Sequence, residues 1–454
     1  MIDDTIAAIS TPIGEGGIAI IRVSGSKALT IADQMFIART GKPSAFATHT
    51  IHLGKIVRAG QIVDHAMLSV MRAPGSYTTE DTVEFNCHGG MFVARTVLSL
   101  CLEHGARLAE PGEFTKRAFL NGRLDLAQAE AVMDLISAKT DRAQLAATNA
   151  LEGHLSRQVE TIRVRLITIL AHIEAQLDFP EDDLPTATRD TLLRETRDIC
   201  SELDKLLSTG REGKILRQGV SISIIGRPNV GKSSLMNLLL GEERSIVTSK
   251  PGTTRDTIEE FVNVRGIPIR VTDTAGIRSA RGVVEAIGIN RTRKAIQESD
   301  LTILVVDNSR RLSEADEDFI SRYKDKIEIV VINKVDTLSR LKLSDIFNNV
   351  TVVKVSCVTG FGREQLKDAI EYAVWRGLKH QDSTDFTINE RHLEAITRAV
   401  ASLQEGINKI ESRDTLDVVA QFYRIGLSAI GEVVGKTSTE DLLSSIFSNF
   451  CIGK

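Results

Sequence analysis

Residues Gly226–Ser233 read Gly-Arg-Pro-Asn-Val-Gly-Lys-Ser, a glycine-framed loop in mid-chain. The loop follows an apolar run of strand length, Val220–Ile225, and precedes a helix-like run, Leu235–Leu240. A strand, a glycine loop and a helix form the context in which GxxxxGK[ST] holds phosphates. Backbone N–H groups surround the α- and β-phosphates at a helix N-terminus, and Lys232 reaches the β/γ oxygens. The Ser233 hydroxyl ligates Mg²⁺. This assigns Asn229, Val230, Gly231, Lys232, Ser233 and Ser234 to the phosphate side of a nucleotide site.

Asn333-Lys334-Val335-Asp336 follows the apolar strand Ile329–Ile332. In this NKxD pattern the Asp336 carboxylate accepts from guanine N1–H and from the exocyclic amine. Adenine offers an acceptor at N1 and no 2-amine, so the carboxylate would stay unpaired, and the site rejects that base. Ser356-Cys357-Val358, after the strand Thr351–Val355, stands where a base-contacting loop is expected. Asp273-Thr274-Ala275-Gly276 ends the run Ile269–Thr272. Its carboxylate suits Mg²⁺ held through water, and its glycine N–H suits the γ-phosphate. Between it and the phosphate loop lie Thr248, Ser249, Lys250, Pro251, Gly252, Thr253 and Thr254, with Thr254 the second hydroxyl expected on Mg²⁺. In this order the motifs define a GTPase.

Many GTPases place Gln after DxxG to orient the attacking water. Here that position is Ile277, so another group is needed, and Glu285 is a candidate a few residues on. The charge developing between the β- and γ-phosphates needs either a guanidinium (Arg255, Arg278 or Arg281) or a monovalent cation. Asn229 could hold such a cation with its side-chain oxygen, aided by carbonyls of 248–253.

The chain has 454 residues, long enough for several domains, and 42% of them are hydrophobic. No run of 18 apolar residues appears, and the first residues carry no basic region, so neither a membrane span nor a secretory leader is expected. The five cysteines form no CxxC pair, which fits reduced thiols in the cytoplasm. A net charge of −4 and 4% aromatic residues argue against a nucleic-acid coat or a base-stacking platform.

Residues 1–118 alternate β-rich runs with turns and predict an α/β or α+β domain. Helical segments follow in 119–215. Leu155, Val159, Ile162, Leu166, Ile169, Ile173 and Leu177 form one apolar stripe, ended by Pro180 and Glu181-Asp182-Asp183. A second stripe lies in 377–454: Leu393, Ile396, Val400, Leu403, Ile407 and Ile410. Both stripes need a partner. The expected architecture is therefore an N-terminal α/β domain, a split helical domain, and a P-loop domain with a doubly wound sheet (216–376) inserted into it. Two independent helical hairpins are the alternative.

Taken with the motifs above, three segments make the chain resemble the MnmE (TrmE) family of bacterial tRNA-modification GTPases. They are Gly16–Gly25, the block Pro111–Leu126 and the tail Phe450-Cys451-Ile452-Gly453-Lys454. The resemblance implies an N-terminal domain like the folate-binding domains of one-carbon enzymes, which also makes the homodimer. The folate site would fall on Arg22, Glu84, Arg123 and Lys454, taking 5,10-methylenetetrahydrofolate or 5-formyltetrahydrofolate. It implies an FAD-dependent partner, MnmG, in a heterotetramer, and an aminomethyl or carboxymethylaminomethyl group installed at C5 of the tRNA wobble uridine. It implies K⁺-stimulated pairing of the GTPase domains through Asn229, Thr248, Lys250 and Thr253. Glu285 would be the catalytic glutamate, and Cys451 a cysteine taking part in the modification. A ribosome-assembly GTPase that binds RNA without covalent chemistry is the alternative function; the N-terminal block and the tail speak against it.

Overall fold

The computed structural model describes residues 4–12, 14–178, 189–241, 261–272, 296–341, 350–376, 386–437 and 439–454. The chain divides into two units. One comprises Met1–Met133, Leu151–Arg197 and Ala395–Lys454; the other comprises Asp134–Ala150 and Asp198–Glu394.

The first unit opens with strands β1 (Ile6–Ile9), β2 (Ile18–Ser24), β3 (Phe36–Ala38), β4 (Thr50–Arg58), β5 (Gln61–Met71), β6 (Thr82–His88) and β7 (Arg107–Leu108). They form one seven-stranded sheet in the order β3-β4-β5-β6-β2-β1-β7. Alternation along each strand sorts its two faces. Ile21 and Val23 of β2, Val83 and Phe85 of β6, and Leu68 and Val70 of β5 pack on α1 (Ala28–Met35) and α2 (Met91–Glu103). The intervening residues, among them Arg22 paired in register with Glu84, belong to the other face.

On that other face Ile6 and Ala8 of β1 pack with Phe114 of α3 (Glu113–Leu120). A buried cation pins this helix. The Arg117 side chain is only 1% exposed, and it meets Asp4 Oδ1 at 2.6 Å, Glu113 Oε1 at 3.0 Å and Glu80 Oε1 at 3.2 Å. A guanidinium taken out of water needs such partners. Burial raises the Glu113 carboxyl, yet the bonds from Arg107 and Arg117 outweigh it and hold the group below the ordinary carboxylate range.

Helices α4 (Leu126–Ser137), α5 (Asp141–Leu151), α6 (His154–Asp178), α7 (Arg189–Ser208) and α8 (Gly210–Gln218) follow. The α6 stripe is buried from Leu155 to Ile173, whereas Leu177 is 38% exposed, so the covered face stops one turn short of the expectation. Pro180 and Glu181–Asp183 lie outside the described residues.

The second unit carries β8 (Val220–Ile225), α9 (Lys232–Leu240), β9 (Phe261–Val264), β10 (Ile267–Thr272), β11 (Leu301–Asp307), α10 (Glu314–Tyr323), β12 (Ile329–Asn333), β13 (Thr351–Lys354) and α11 (Arg363–Trp375). The sheet order is β13-β12-β11-β8-β10-β9, parallel except for the β9–β10 hairpin. Each central strand feeds two cores. Ile222, Ile303, Val305, Ile329 and Val331 pack on one face with Leu235 of α9 and Ile370 of α11. Ile225, Leu304, Val306, Val330 and Ile332 pack on the other with Ile320 of α10. Helices on both faces explain why these strands carry apolar residues on both faces rather than on one.

Helices α12 (Glu390–Glu411), α13 (Leu416–Val434) and α14 (Glu440–Ser448) complete the chain. In the α12 stripe Ile396, Leu403, Ile407 and Ile410 are buried, while Leu393 is 36% exposed. The first unit joins helices from before and after the inserted segment: α6 lies against α13, with Arg424 2.8 Å from Glu174, and Thr196 of α7 hydrogen-bonds the Tyr423 hydroxyl of α13. The two helical segments are therefore partners, as a split domain requires, and not separate hairpins. Among the described residues no helix is long and apolar enough to cross a membrane.

The Arg117 cluster yields a test. Arg117→Ala leaves the carboxylates of Asp4, Glu80 and Glu113 without their shared partner and is expected to cost about 3–5 kcal/mol. Denaturant unfolding followed in the N-terminal sheet should show an earlier midpoint; an unchanged midpoint would assign the cluster no structural role.

Candidate functional site

The nucleotide motifs of the described residues gather at the C-terminal ends of β8, β11, β12 and β13, where parallel α/β sheets bind ligands. Gly226–Gly231 forms the turn between β8 and α9, which begins at Lys232. Asn229 sits at φ +65° and Gly231 at φ +101°, both left-handed. At Gly231 glycine is required twice over, because a Cβ there would lie 2.1 Å from Asn333 Nδ2. Lys232 donates to the carbonyls of Gly226 (2.9 Å) and Arg227 (2.8 Å) and so spans the mouth of the loop. Burial lowers its ammonium below the ordinary lysine value. Ser233 and Ser234 follow in the first turn of α9.

Asn333, only 2% exposed, ends β12 and bonds outward in two directions. Its Nδ2 donates to the Val230 carbonyl at 2.9 Å, and its Oδ1 accepts from Cys357 N at 3.3 Å. Lys334, at φ +65°, donates to the Asn229 carbonyl at 2.8 Å and to Asp307 Oδ2 at 2.6 Å. Val335 N donates to the Val355 carbonyl at 3.4 Å. Asp336 Oδ1 accepts from the Ser356 hydroxyl at 2.5 Å, and Ser356 is fully buried. Burial raises the half-buried Cys357 thiol, whereas Val358 is 85% exposed. The phosphate loop, the NKxD loop and the Ser356–Val358 loop are thus tied into one structure.

Asp307 is a member of this network that the motifs did not reveal. The only sequence signal was a carboxylate ending an otherwise apolar strand. Thr248, Ser249, Lys250, Pro251, Gly252, Thr253, Thr254, Asp273, Thr274, Ala275, Gly276 and Glu285 lie outside the described residues, as do Arg255, Ile277, Arg278 and Arg281.

In the first unit the four residues expected for folate come together. Arg22 Nε donates to Glu84 Oε1 at 2.7 Å, and its Nη1 to the Gly453 carbonyl at 3.4 Å. The Arg22 guanidinium lies 5.9 Å from the Tyr77 ring centroid and 5.5 Å from that of Phe114. Arg123 lies 5.6 Å from the same Tyr77 ring and hydrogen-bonds the Ser76 carbonyl. A backbone oxygen of Lys454 accepts from Phe114 N at 3.2 Å. Tyr77 and Phe114 are the aromatic neighbours of these cations that spacing alone did not pick out; an aromatic beside paired cations is visible only once the chain is folded.

The tail reaches this place through its backbone. Ile452 bridges Pro111, Gly112 N donates to the Cys451 carbonyl at 3.4 Å, and Ser10 Oγ donates to the Gly453 carbonyl at 3.1 Å. Gly453 stands at φ +93°, where a Cβ would lie 2.4 Å from the Ile9 carbonyl oxygen. Cys451 is exposed; burial pushes Cys87 and Cys200 up to about 11 and Cys101 up to about 12, leaving those thiols un-ionised.

Comparison with known proteins adds to this geometry. A family model for the GTP-binding protein TrmE N-terminus matches residues 5–123, and one for the MnmE helical domain matches 126–451. The chain is similar along its whole length to proteins named tRNA modification GTPase MnmE. It is 45% identical to that of Clostridioides difficile, with 100% of each chain covered. It is 46% identical to that of Enterococcus faecalis, over 99% of this chain and 98% of the relative. It is also 46% identical to that of Alkaliphilus oremlandii, with 100% of each covered. With both domain families matched and nearly half of all residues shared end to end, this chain belongs to the MnmE (TrmE) family.

Proposed function

We propose that this chain hydrolyses GTP and uses the resulting cycle to drive modification of the tRNA wobble uridine. One observation carries the nucleotide part: the Asn333 carboxamide joins the phosphate loop to the base-side loop, with Asp336 held beside it by Ser356. Asp336 accepts from the guanine N1–H and 2-amine, and Lys232 exchanges its carbonyl partners for phosphate oxygens. Ser233, with Thr254 and Asp273, is the set of oxygen donors that suits Mg²⁺, which supplies charge neutralisation. Asn229, with 248–253, is the set for K⁺. Glu285 orients water in place of the glutamine that Ile277 replaces.

The first unit is read as the one-carbon site. Its donors fit a reduced folate: Arg22 and Arg123 suit the glutamate carboxylate, and Glu84 suits pterin N–H groups. Their convergence around Tyr77 and the tail supports this reading. On this reading Cys451, an exposed thiol on that tail, takes part in the chemistry. The homodimer reading is supported by an apolar face of the same sheet, where Ile37, Ile51, Leu53 and Met67 are between 41% and 71% exposed. tRNA and the FAD-dependent MnmG are the partners, in the cytoplasm, with 1–118, 119–215 plus 377–454, and 216–376 as the working domains.

Three outcomes follow. ITP, which lacks the 2-amine, should bind about 10- to 100-fold more weakly than GTP, and Asp336→Ala should abolish that preference; equal binding of the two by the wild-type protein would remove guanine recognition. Glu285→Ala should lower kcat about 100- to 10,000-fold while GTP affinity is kept, and the wild-type rate should be higher in K⁺ than in Na⁺; turnover untouched by either change would remove both roles. Arg22→Ala should weaken binding of a reduced folate. Cells carrying it should lack the C5 group when wobble uridines are read by mass spectrometry, and full modification in those cells would refute the folate assignment.

A further inference from the structure

Lys334 belongs to the nucleotide motif, but what holds Lys334 does not. Its ammonium is fixed at 2.6 Å by Asp307 Oδ2, and the Asp307 side chain is only 5% exposed. The other oxygen, Oδ1, accepts from Ser309 N at 2.9 Å and Ser309 Oγ at 2.7 Å. The carboxylate is therefore oriented on one oxygen by its own turn and presents the second to the lysine. The same strand end is tied down again, since Asn308 N donates to the Asn333 carbonyl at 2.9 Å. Burial raises the Asp307 carboxyl, but the bonds from Lys334 and Ser309 outweigh it and keep the group ionised below the ordinary range.

The lysine held in this way reaches across to the phosphate loop, where it donates to the Asn229 carbonyl at 2.8 Å. Both Lys334 and Asn229 occupy left-handed backbone, at φ +65° each. Non-glycine residues persist there only where surrounding bonds over-determine them. Asp307 is one of those bonds, and nothing in the nucleotide motifs includes it.

The geometry points to Asp307 as a positioning residue for guanine-nucleotide binding, acting through Lys334 on the phosphate loop at Asn229. This rests on reading 226–233 and 333–336 as the nucleotide site, and it adds a carboxylate from β11 to that site's support. The effect of Asp307 is to keep one lysine aimed and, through it, one loop carbonyl.

Fluorescent GDP and GTP titrations on the full chain test this. Asp307→Asn keeps the shape and an Oδ1 acceptor for Ser309 but loses the charge. It should weaken GDP and GTP alike, by about 10- to 100-fold, the range for losing a hydrogen bond to a charged group. The decisive readout is the cycle with Lys334→Ala: because Asp307 acts through the lysine, D307N/K334A should bind no more weakly than K334A. Multiplying losses in the double variant, or a D307N affinity within about twofold of wild type, overturn the inference. Asp307→Ser gives the same comparison should D307N not fold. Absence of guanine-nucleotide binding by the wild-type protein would instead refute the site itself.

Discussion

The Asn333 carboxamide is the bond on which the nucleotide end of this molecule depends. It is buried, it is amide on both sides, and it reaches Val230 in one loop and Cys357 in another. A buried amide left unsatisfied costs roughly 1–3 kcal/mol, so all three loops have to keep their places together. The glycine at 231 follows from the same contact, because Asn333 occupies the space a side chain would need. Lys334 then adds a charged strut parallel to the amide.

The N-terminal unit solves a comparable problem with different chemistry. There the chain must bring its last five residues back to β1 and α3: the Ser10 hydroxyl and the backbone N–H groups of Gly112 and Phe114 donate to backbone oxygens of the tail, while the buried Phe450 ring packs with Leu126 and Phe447. The result sets the Gly453 carbonyl against Arg22, two residues after the exposed Cys451. Arg117 stabilises the helix that carries Phe114, and Arg22 lies over the Phe114 ring, so a structural ion network and a candidate ligand site share one helix.

The central strands of the inserted domain were legible because helices cover both faces of its sheet, and such strands are mostly apolar on both faces, with only the small buried Ser221, Ser223 and Thr302 interrupting β8 and β11 before Asp307. Their ends were less so. The apolar run predicts a strand from Leu301 to Val306, and the structure carries it one residue further, to Asp307. That polar residue ends the hydrophobic pattern yet continues the hydrogen-bonded ladder opposite Asn333. The helical stripes show the same effect in reverse: their periodicity extends to Leu177 and Leu393, but burial does not. Periodicity records which face a helix can bury, whereas the length of its partner decides how much of it is buried.

The sequence by itself determined the fold class, the mid-chain P-loop domain with its order of motifs, and membership of a family through the Pro111–Leu126 block and the Phe450–Lys454 tail. These are properties of local spacing: a glycine loop between a strand and a helix, or a stripe at helical period, is written in consecutive residues. Tertiary structure alone decided which distant residues became neighbours. It brought Asp307 to Lys334, Tyr77 between Arg22 and Arg123, and Gly453 to Ser10 across nearly the whole chain. Such pairs carry no periodic signature, since each depends on where two strand ends or a tail come to rest after the cores have packed.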